Sequence, residues 1–400
     1  MTNGKLWVAA LLLSIISNVC ADAQALKRVI LQVKESAGIR RFAYPVSARV
    51  PFARGVLKST SNVRLLLNDM EVPTQVSPES NWPDGSIQSL VVDFNTNSAP
   101  LEQQRFRLEY GDDIALRTSP RGLTVTETED AIQVGNVRFG KGASPLIQSV
   151  KYRQEDIGSG KNGFTVTDSS GKSHDLVLDT KTGKVQVVKA GPLSILIRYS
   201  GELSLDGNRL PFTINVEMRN GKTWTKCTAS VNDPGKRIRE IAFHSPLSFS
   251  AYPWLWDFGT GSWTYGFFRS ATDSVVLTQV VRTSGVGGWQ IKSGTKGQEQ
   301  PYEVAAGPRP KIAEGWGHIQ DAKEVIAFGF DDFAAQPGTY TMSLDGQGQA
   351  SFIFTASEPR TLHQITVYEH YVPSPVPIVA ITSPVSMLHP LTVSVIANKP

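Results

Sequence analysis

Apolar and polar residues alternate along most of the chain, in short segments that end at residues favouring turns. A period of two places successive side chains on opposite faces of a β-strand. Beyond the N-terminal segment, no window of a dozen residues has the i, i+3, i+4 apolar spacing of an amphipathic helix. Strands are predicted in VRLLLND (Val63–Asp69), SLVVDF (Ser89–Phe94), QRFRLEY (Gln104–Tyr110), GLTVTET (Gly122–Thr128), AIQVGNVRF (Ala131–Phe139), VQVVKAG (Val185–Gly191), LSILIRYSGEL (Leu193–Leu203) and FTINVEMRN (Phe212–Asn220).

Turn sequences such as KTGK, DGN and RNGK separate these segments at short intervals, as in antiparallel sheets. The strand rhythm is interrupted by charge and by proline and glycine at Gly111–Gly122, which predicts a domain boundary. We predict an all-β protein with a small N-terminal β-barrel at 26–119 and a large antiparallel β-sandwich at 120–371.

The last segment, 372–400, is apolar, almost uncharged and rich in proline. Repeated prolines exclude a continuous helix. We predict an edge strand or a stabilising strap across the sandwich, and an exposed adhesive tail is the alternative.

The first 25 residues have the pattern of a secretory signal peptide, with Lys5, an apolar run at Leu6–Val19 and small residues at Ala21–Ala25. A secreted or periplasmic protein is therefore expected. Cys20 leaves a lipoprotein as the alternative, although the preceding Ser-Asn-Val does not fit the expected small-residue pattern. No other stretch is long and apolar enough for a membrane span.

The charge is nearly balanced, with 40 basic and 36 acidic residues and a net charge of +4. No long basic block is present, which argues against nucleic acid as the main partner. After signal-peptide cleavage only Cys227 would remain, so no intramolecular disulfide is expected. Its place in an alternating segment predicts a buried structural thiol.

The segment NWPDGSIQSLVVDF (Asn81–Phe94) joins a turn to an apolar strand. Proline presets φ at the first turn position, and Asp84 and Gly85 are residue types that tolerate tight geometry. We interpret it as a β-hairpin turn anchored by Trp82 rather than as a reaction site.

This segment, together with RVPFARGVL (Arg49–Leu57) and EVPTQ (Glu71–Gln75), resembles the N-terminal small barrel of the exo-rhamnogalacturonan lyase family. A weaker resemblance to the central sandwich of that family continues through Asn208–Gly235 and Ala313–Phe333. The resemblance implies a protein that binds or processes acidic plant-type polysaccharide, by β-elimination if it is a lyase.

Family members that cleave the polymer carry a long helical toroid after the sandwich, and the sequence up to Pro400 contains no helical domain. The catalytic residues of the family are therefore not assigned here. A lyase would need its cleft on the sandwich or completed by a partner subunit. A non-catalytic carbohydrate-binding or scaffold protein that lacks the toroid is the alternative.

β-Elimination needs a base, a cation beside the substrate carboxylate and a proton donor. Tyr368 and His370 are two residues apart and share one strand face, as do Trp316 and His318. We predict catalytic roles for His318, His370 and Tyr368, and a substrate contact for Trp316. The structural alternatives are an amphipathic strand end and a hydrogen-bonded histidine.

Aromatic residues concentrate in AYPWLWDFGTGSWTYGFF (Ala251–Phe268). A hairpin could bring two pairs together as a sugar-stacking platform, Trp254 with Trp256 and Trp263 with Tyr265. An aromatic core corner is the equally open alternative.

No HExxH or paired-cysteine motif occurs, so no metal site and no cofactor are predicted. A calcium ion held by loop carboxylates and carbonyls is the alternative, since such sites leave little trace in a sequence.

Overall fold

The computed structural model describes residues 27–118, 120–152, 155–156, 162–179, 181–222, 224–249, 251–262, 264–304, 310–373 and 384–396. The predicted signal peptide and Trp263 lie outside the described residues. Every strand pairing in the described part is antiparallel, which confirms the all-β prediction.

The chain begins with seven strands and one 3-10 turn at Thr60–Asn62: β1 (Arg28–Lys34), β2 (Arg41–Pro51), β3 (Val63–Leu67), β4 (Met70–Val72), β5 (Thr74–Asn81), β6 (Ile87–Ser98) and β7 (Gln103–Tyr110). A small sheet follows, formed by β8 (Val125–Glu127), β9 (Ala131–Val134), β10 (Val137–Gly140), β11 (Ile147–Tyr152) and β12 (Glu155–Asp156).

The next strands are β13 (Gly163–Asp168), β14 (Ser173–Asp175), β15 (Lys184–Lys189), β16 (Ser194–Leu205), β17 (Asn208–Arg219), β18 (Trp224–Asn232), β19 (Ile238–Pro246), β20 (Trp254–Phe258), β21 (Tyr265–Phe268) and β22 (Asp273–Arg282). The chain continues with β23 (Gly285–Thr295), β24 (Gln300–Pro301), β25 (Trp316–Gln320), β26 (Glu324–Phe330), β27 (Gly338–Asp345), β28 (Gln349–Ala356), β29 (Leu362–Pro373) and β30 (Thr392–Ile396).

Two large sheets form the sandwich. One has the order β14-β13-β19-β28-β27-β22-β23-β24, and the other has the order β15-β16-β17-β18-β29-β26-β25-β20-β21. Strand β17 shows why they pack: every second residue from Leu210 to Met218 is buried in the shared core. The small sheet β8–β12 contributes residues such as Phe139 and Ile147 to the same core.

The N-terminal strands form two open sheets rather than the predicted closed barrel. Their orders are β30-β1-β7-β3-β4 and β2-β6-β5, and they share a second hydrophobic core. Pro45 and Pro51 in β2 and Pro78 in β5 lie in the two edge strands of the smaller sheet. Proline lacks the N–H that a further ladder needs, so these edges favour an open sheet over closure.

The C-terminal segment returns to the N-terminal sheets. Strand β30 pairs with β1, from Ile30 opposite Ile396 to Lys34 opposite Thr392. This is an edge strand, but it belongs to the N-terminal sheet rather than to the sandwich that the sequence predicted. Met387, in the helical residues 384–388, and Leu391 enter the N-terminal core.

The nine-stranded sheet has an inner face towards the sandwich core and an outer face towards the N-terminal core. All residues of β26 are buried because the strand is covered on both sides. Phe328 belongs to the sandwich core, whereas Ala327 belongs to the N-terminal core with Tyr368 and Trp224. Successive residues of each strand in this sheet point to alternate faces. The alternation therefore decides which side chains lie on the outer face, where the N-terminal unit packs.

The WPDGS segment is a turn between β5 and β6, as predicted. Gly85 has φ 83° and its N–H donates to the Trp82 carbonyl, while the Trp82 indole N–H donates to the Phe52 carbonyl at 3.1 Å. The Ser86 hydroxyl and N–H donate to Asp84, and these bonds lower the pKa of its carboxyl to about 2. These bonds hold the turn that joins β5 to β6.

Cys227 is the free cysteine of the described residues, and it is buried on the inner face. Burial raises the pKa of its thiol. It packs in the sandwich core with Ala229, which confirms the predicted structural role.

Candidate functional site

Three strands meet at one end of the nine-stranded sheet, where β21 is the edge strand and β20 and β25 follow it. Asp257 on β20 lies opposite Tyr265 on β21 and opposite His318 on β25. Residues opposite each other in an antiparallel pair share a face. These three side chains therefore lie in one row on the outer face, and we call them and their neighbours the Asp257 site.

Two aromatic side chains border the Asp257 site on the edge strand. Tyr265 is 49% exposed and Phe267 is 48% exposed, and their ring centroids lie 6.4 Å apart at an angle of 87°. They share a face because they are two residues apart on one strand. Two half-exposed rings beside a carboxyl give the surface both apolar and polar contacts.

Trp316 forms the other border. Its ring is parallel to that of His318, with centroids 6.5 Å apart and an angle of 11° between the planes. It lies against Gly259, where a Cβ would come within 2.2 Å of the indole, so the glycine allows this approach. The indole N–H donates to Glu314 Oε2 at 2.5 Å, which brings a second carboxylate to the site.

Burial shifts the pKa values of both titratable groups at the centre of the site. It raises the pKa of Asp257 to about 7, with a further contribution from the charge of Glu314, and lowers the pKa of His318 to about 4. At neutral pH the histidine is therefore uncharged and Asp257 is roughly half protonated. His318 Nδ1 and Asp257 Oδ2 are 3.9 Å apart, too far for a hydrogen bond.

The predicted aromatic platform does not form as proposed from the sequence. Trp254 and Trp256 are buried on the inner face, where they pair with Phe268 and Gly266. Tyr265 pairs with Asp257, so it points to the opposite face. The register of the hairpin decides which side chains of its two strands share a face. Alternation within one strand does not specify that register. Trp254 and Trp256 thus form the aromatic core corner that was the alternative.

Tyr368 and His370 lie on the same outer face as His318 but farther along the sheet. Ala327 on β26 separates His318 from His370, so the two histidines are about 10 Å apart at two strand spacings. The N-terminal unit buries both residues, and the His370 ring packs edge-on against Trp224 at 5.7 Å. Tyr368 and His370 therefore lie apart from the Asp257 site, whereas Trp316 and His318 belong to it.

Two ionisable side chains, His370 and Lys226, lie in the region that the N-terminal unit covers. Burial, with a smaller contribution from the charge of Lys222, lowers the pKa of His370 to about 3. Lys226 lies 5.0 Å from the Tyr368 ring centroid and 3.4 Å from Asp331 Oδ2. Lys226 is thus already paired with groups of the protein itself.

Phe267 was not singled out from the sequence. Strand alternation could have identified it, because Phe267 lies two residues after Tyr265 in the same predicted strand and so shares its face. Among the described residues, no group of three or more histidine, cysteine, aspartate or glutamate side chains is placed to hold a metal ion. No helix within the described ranges is long and apolar enough to cross a membrane.

No family model matches the chain, and no curated protein sequence matches it. Several solved structures are similar to it at low sequence identity. An α-mannosidase from Enterococcus faecalis V583 is 10% identical, with a TM-score of 0.57 over 93% of this chain and 46% of that chain. A protein in glycosyl hydrolase family 38 from Enterococcus faecalis is 10% identical, with a TM-score of 0.58 over 93% of this chain and 48% of that chain.

At this identity the likeness shows a shared β fold. The chain spans less than half the length of these two proteins. Neither of them is a rhamnogalacturonan lyase.

Proposed function

We propose that this protein binds carbohydrate through the Asp257 site. The observation that carries the proposal is the pair of half-exposed rings, Tyr265 and Phe267, in one surface with the carboxyl of Asp257. Aromatic rings offer apolar contact to the C–H face of a sugar, and polar groups beside them fix its hydroxyls. The likeness to the β fold of an α-mannosidase and a glycosyl hydrolase supports carbohydrate as the ligand class.

The polymer that we propose is acidic plant-type polysaccharide of the rhamnogalacturonan class. This part rests on the three N-terminal motifs, which resemble those of exo-rhamnogalacturonan lyases. Export to the periplasm or the exterior is proposed from the pattern of residues 1–25.

Binding is favoured over β-elimination by the charges of the site. Elimination needs a cation beside the uronate carboxylate. In the part of the chain that the structure describes, no hydrogen bond or ion pair joins a lysine or arginine to Asp257, Glu314 or His318. The other two predicted catalytic residues, Tyr368 and His370, lie beneath the N-terminal unit and away from the Asp257 site. We therefore propose a non-catalytic carbohydrate-binding protein.

Affinity electrophoresis in gels that contain rhamnogalacturonan, polygalacturonate or neutral galactan tests this function. We expect at least one polymer to retard the protein, and the double variant Tyr265→Ala/Phe267→Ala to bind about tenfold more weakly, since each ring contributes about 0.5–1.5 kcal/mol. Phe42→Ala removes a ring that is 63% exposed on the N-terminal unit and is the matched control.

Retardation that is equal for the wild type and the double variant would assign binding to another surface. No retardation by any polymer would refute the proposal. New absorbance from unsaturated uronate would replace the binding function with a lyase.

A further inference from the structure

His318 Nδ1 and Asp257 Oδ2 face each other across a gap that is too long for a direct hydrogen bond. His318 is only 4% exposed, and its Nδ1 has no hydrogen-bond partner among the described residues. That atom lies 3.9 Å from Asp257 Oδ2, and the Asp257 side chain is 25% exposed. One oxygen atom about 2.8 Å from both atoms would hydrogen-bond to each of them.

The chemistry of the two atoms restricts which oxygen fits. An ionised Asp257 only accepts hydrogen bonds, and His318 Nδ1 donates or accepts according to its tautomer. A hydroxyl can donate its one hydrogen to Asp257 and accept from the Nδ1–H of His318, so a single hydroxyl bridges the two atoms when His318 carries its proton on Nδ1. A carboxylate cannot donate, so it would leave two acceptors facing each other.

The charges around the gap also favour a neutral hydroxyl over a carboxylate. Glu314 is exposed and is held at the site by its hydrogen bond from the Trp316 indole. Its charge contributes to the raised pKa of Asp257, because a like charge nearby disfavours ionisation of a carboxyl. A third carboxylate, on a uronate ligand, would therefore meet like charge without a compensating cation.

We propose that the gap between His318 and Asp257 is a hydroxyl-binding subsite that selects a neutral sugar unit over a uronate unit. This inference rests on the proposed carbohydrate-binding function and names the sugar that the Asp257 site takes. In a polymer that alternates neutral and acidic units, the neutral unit would occupy this subsite, and the uronate carboxylates would point away from Glu314.

The experiment is calorimetric titration of the protein at pH 8 with two matched probes. One is α-1,4-tetragalacturonate, and the other is the galactose tetramer that reduction of its carboxyl groups gives. We expect the neutral tetramer to bind at least tenfold more tightly. Asp257→Asn keeps the side-chain size and removes the charge, and it should reduce this preference to less than threefold.

A second variant tests the histidine. His318→Phe keeps a ring against Trp316 but removes Nδ1, and we expect it to weaken binding of the neutral tetramer about tenfold. Circular dichroism of each variant checks the fold, and Asp257→Asn keeps the test decisive if His318→Phe does not fold.

The outcomes separate this inference from the proposed function. Equal affinity for the two tetramers, or tighter binding of the uronate, would overturn the neutral-sugar inference and leave carbohydrate binding in place. An unchanged preference in Asp257→Asn would also overturn it. Failure of the protein to bind either tetramer and every polymer of the electrophoresis panel would overturn both proposals.

Discussion

Arg41→Ala is expected to lower the free energy of unfolding by about 3 kcal/mol, because it breaks a buried ion pair and leaves one charge without its partner. The Arg41 guanidinium lies 3.0 Å from Glu35 Oε1, and both side chains are almost fully buried. It also donates to the Ser386 hydroxyl at 2.9 Å and to the His389 carbonyl at 2.7 Å. The substitution therefore removes hydrogen bonds to the C-terminal segment as well as the counterion of Glu35.

Urea unfolding at pH 7 measures this change, and limited proteolysis monitors the C-terminal segment. Arg49→Ala is the control, because Arg49 pairs with Glu79 at 2.7 Å but its side chain is 75% exposed. Exposed pairs contribute little, so we expect a loss below about 1 kcal/mol there. Equal effects of the two substitutions would show that Arg41 does not secure the C-terminal segment.

The same ion pair predicts acid sensitivity. Burial alone would raise the pKa of Glu35, but hydrogen bonds from the Leu101 N–H and the Arg41 side chain outweigh it and lower the pKa to about 2. The folded pKa is thus below the unfolded value near 4.5. The stabilisation is present above pH 4.5 and is lost as the pH falls towards 2.

Glu369→Gln is expected to stabilise the protein by about 3 kcal/mol at pH 8.5 and by less than about 1 kcal/mol at pH 5. Glu369 is fully buried on the inner face of β29, opposite Thr225 and Phe328. Burial raises the pKa of its carboxyl to about 7, and the neighbouring Ser245 and Tyr371 hydroxyls offset only part of that effect. Glutamine removes the charge from this position.

The sign of this pH dependence of stability follows from proton binding to Glu369. The folded state holds a proton on Glu369 that the unfolded state releases near pH 4.5. Wild-type stability therefore declines as the pH rises from about 4.5 to about 7, and glutamine does not titrate.

Urea unfolding at pH 5, 7 and 8.5 measures the difference between wild type and variant. Glu202→Gln changes a glutamate whose side chain is 42% exposed, and we expect it to shift stability by less than about 0.5 kcal/mol at each pH. Destabilisation by Glu369→Gln at pH 8.5 would instead mean that an ionised Glu369 is stabilised in the core.

Local sequence was sufficient to predict individual strands and turns. The predicted strand FTINVEMRN overlaps β17 from Phe212 to Arg219, and its alternation gives the observed burial of Phe212, Ile214 and Val216. The WPDGS turn and the buried Cys227 were also predictable from neighbouring residues. In each case the information lies within a few residues, because strand alternation and turn geometry are local properties.

The candidate site was predictable only in part. Trp316, His318 and Tyr265 were selected from the sequence, and the structure places them at one end of the nine-stranded sheet. The sequence could not show that Tyr265 faces away from Trp254 and Trp256, since a shift of one residue in register would reverse the face. It also could not show that the N-terminal unit covers Tyr368 and His370.

The sequence by itself determined that this chain forms antiparallel β-sheets and where many of its strands and turns lie. Only the tertiary structure decided which strands are neighbours. It brought β30 to β1 across almost the whole chain, left the N-terminal sheets open, and placed His318 Nδ1 3.9 Å from Asp257 Oδ2. The physical reason is that strand pairing joins residues far apart in sequence, and the alternation within one strand carries no information about its partner.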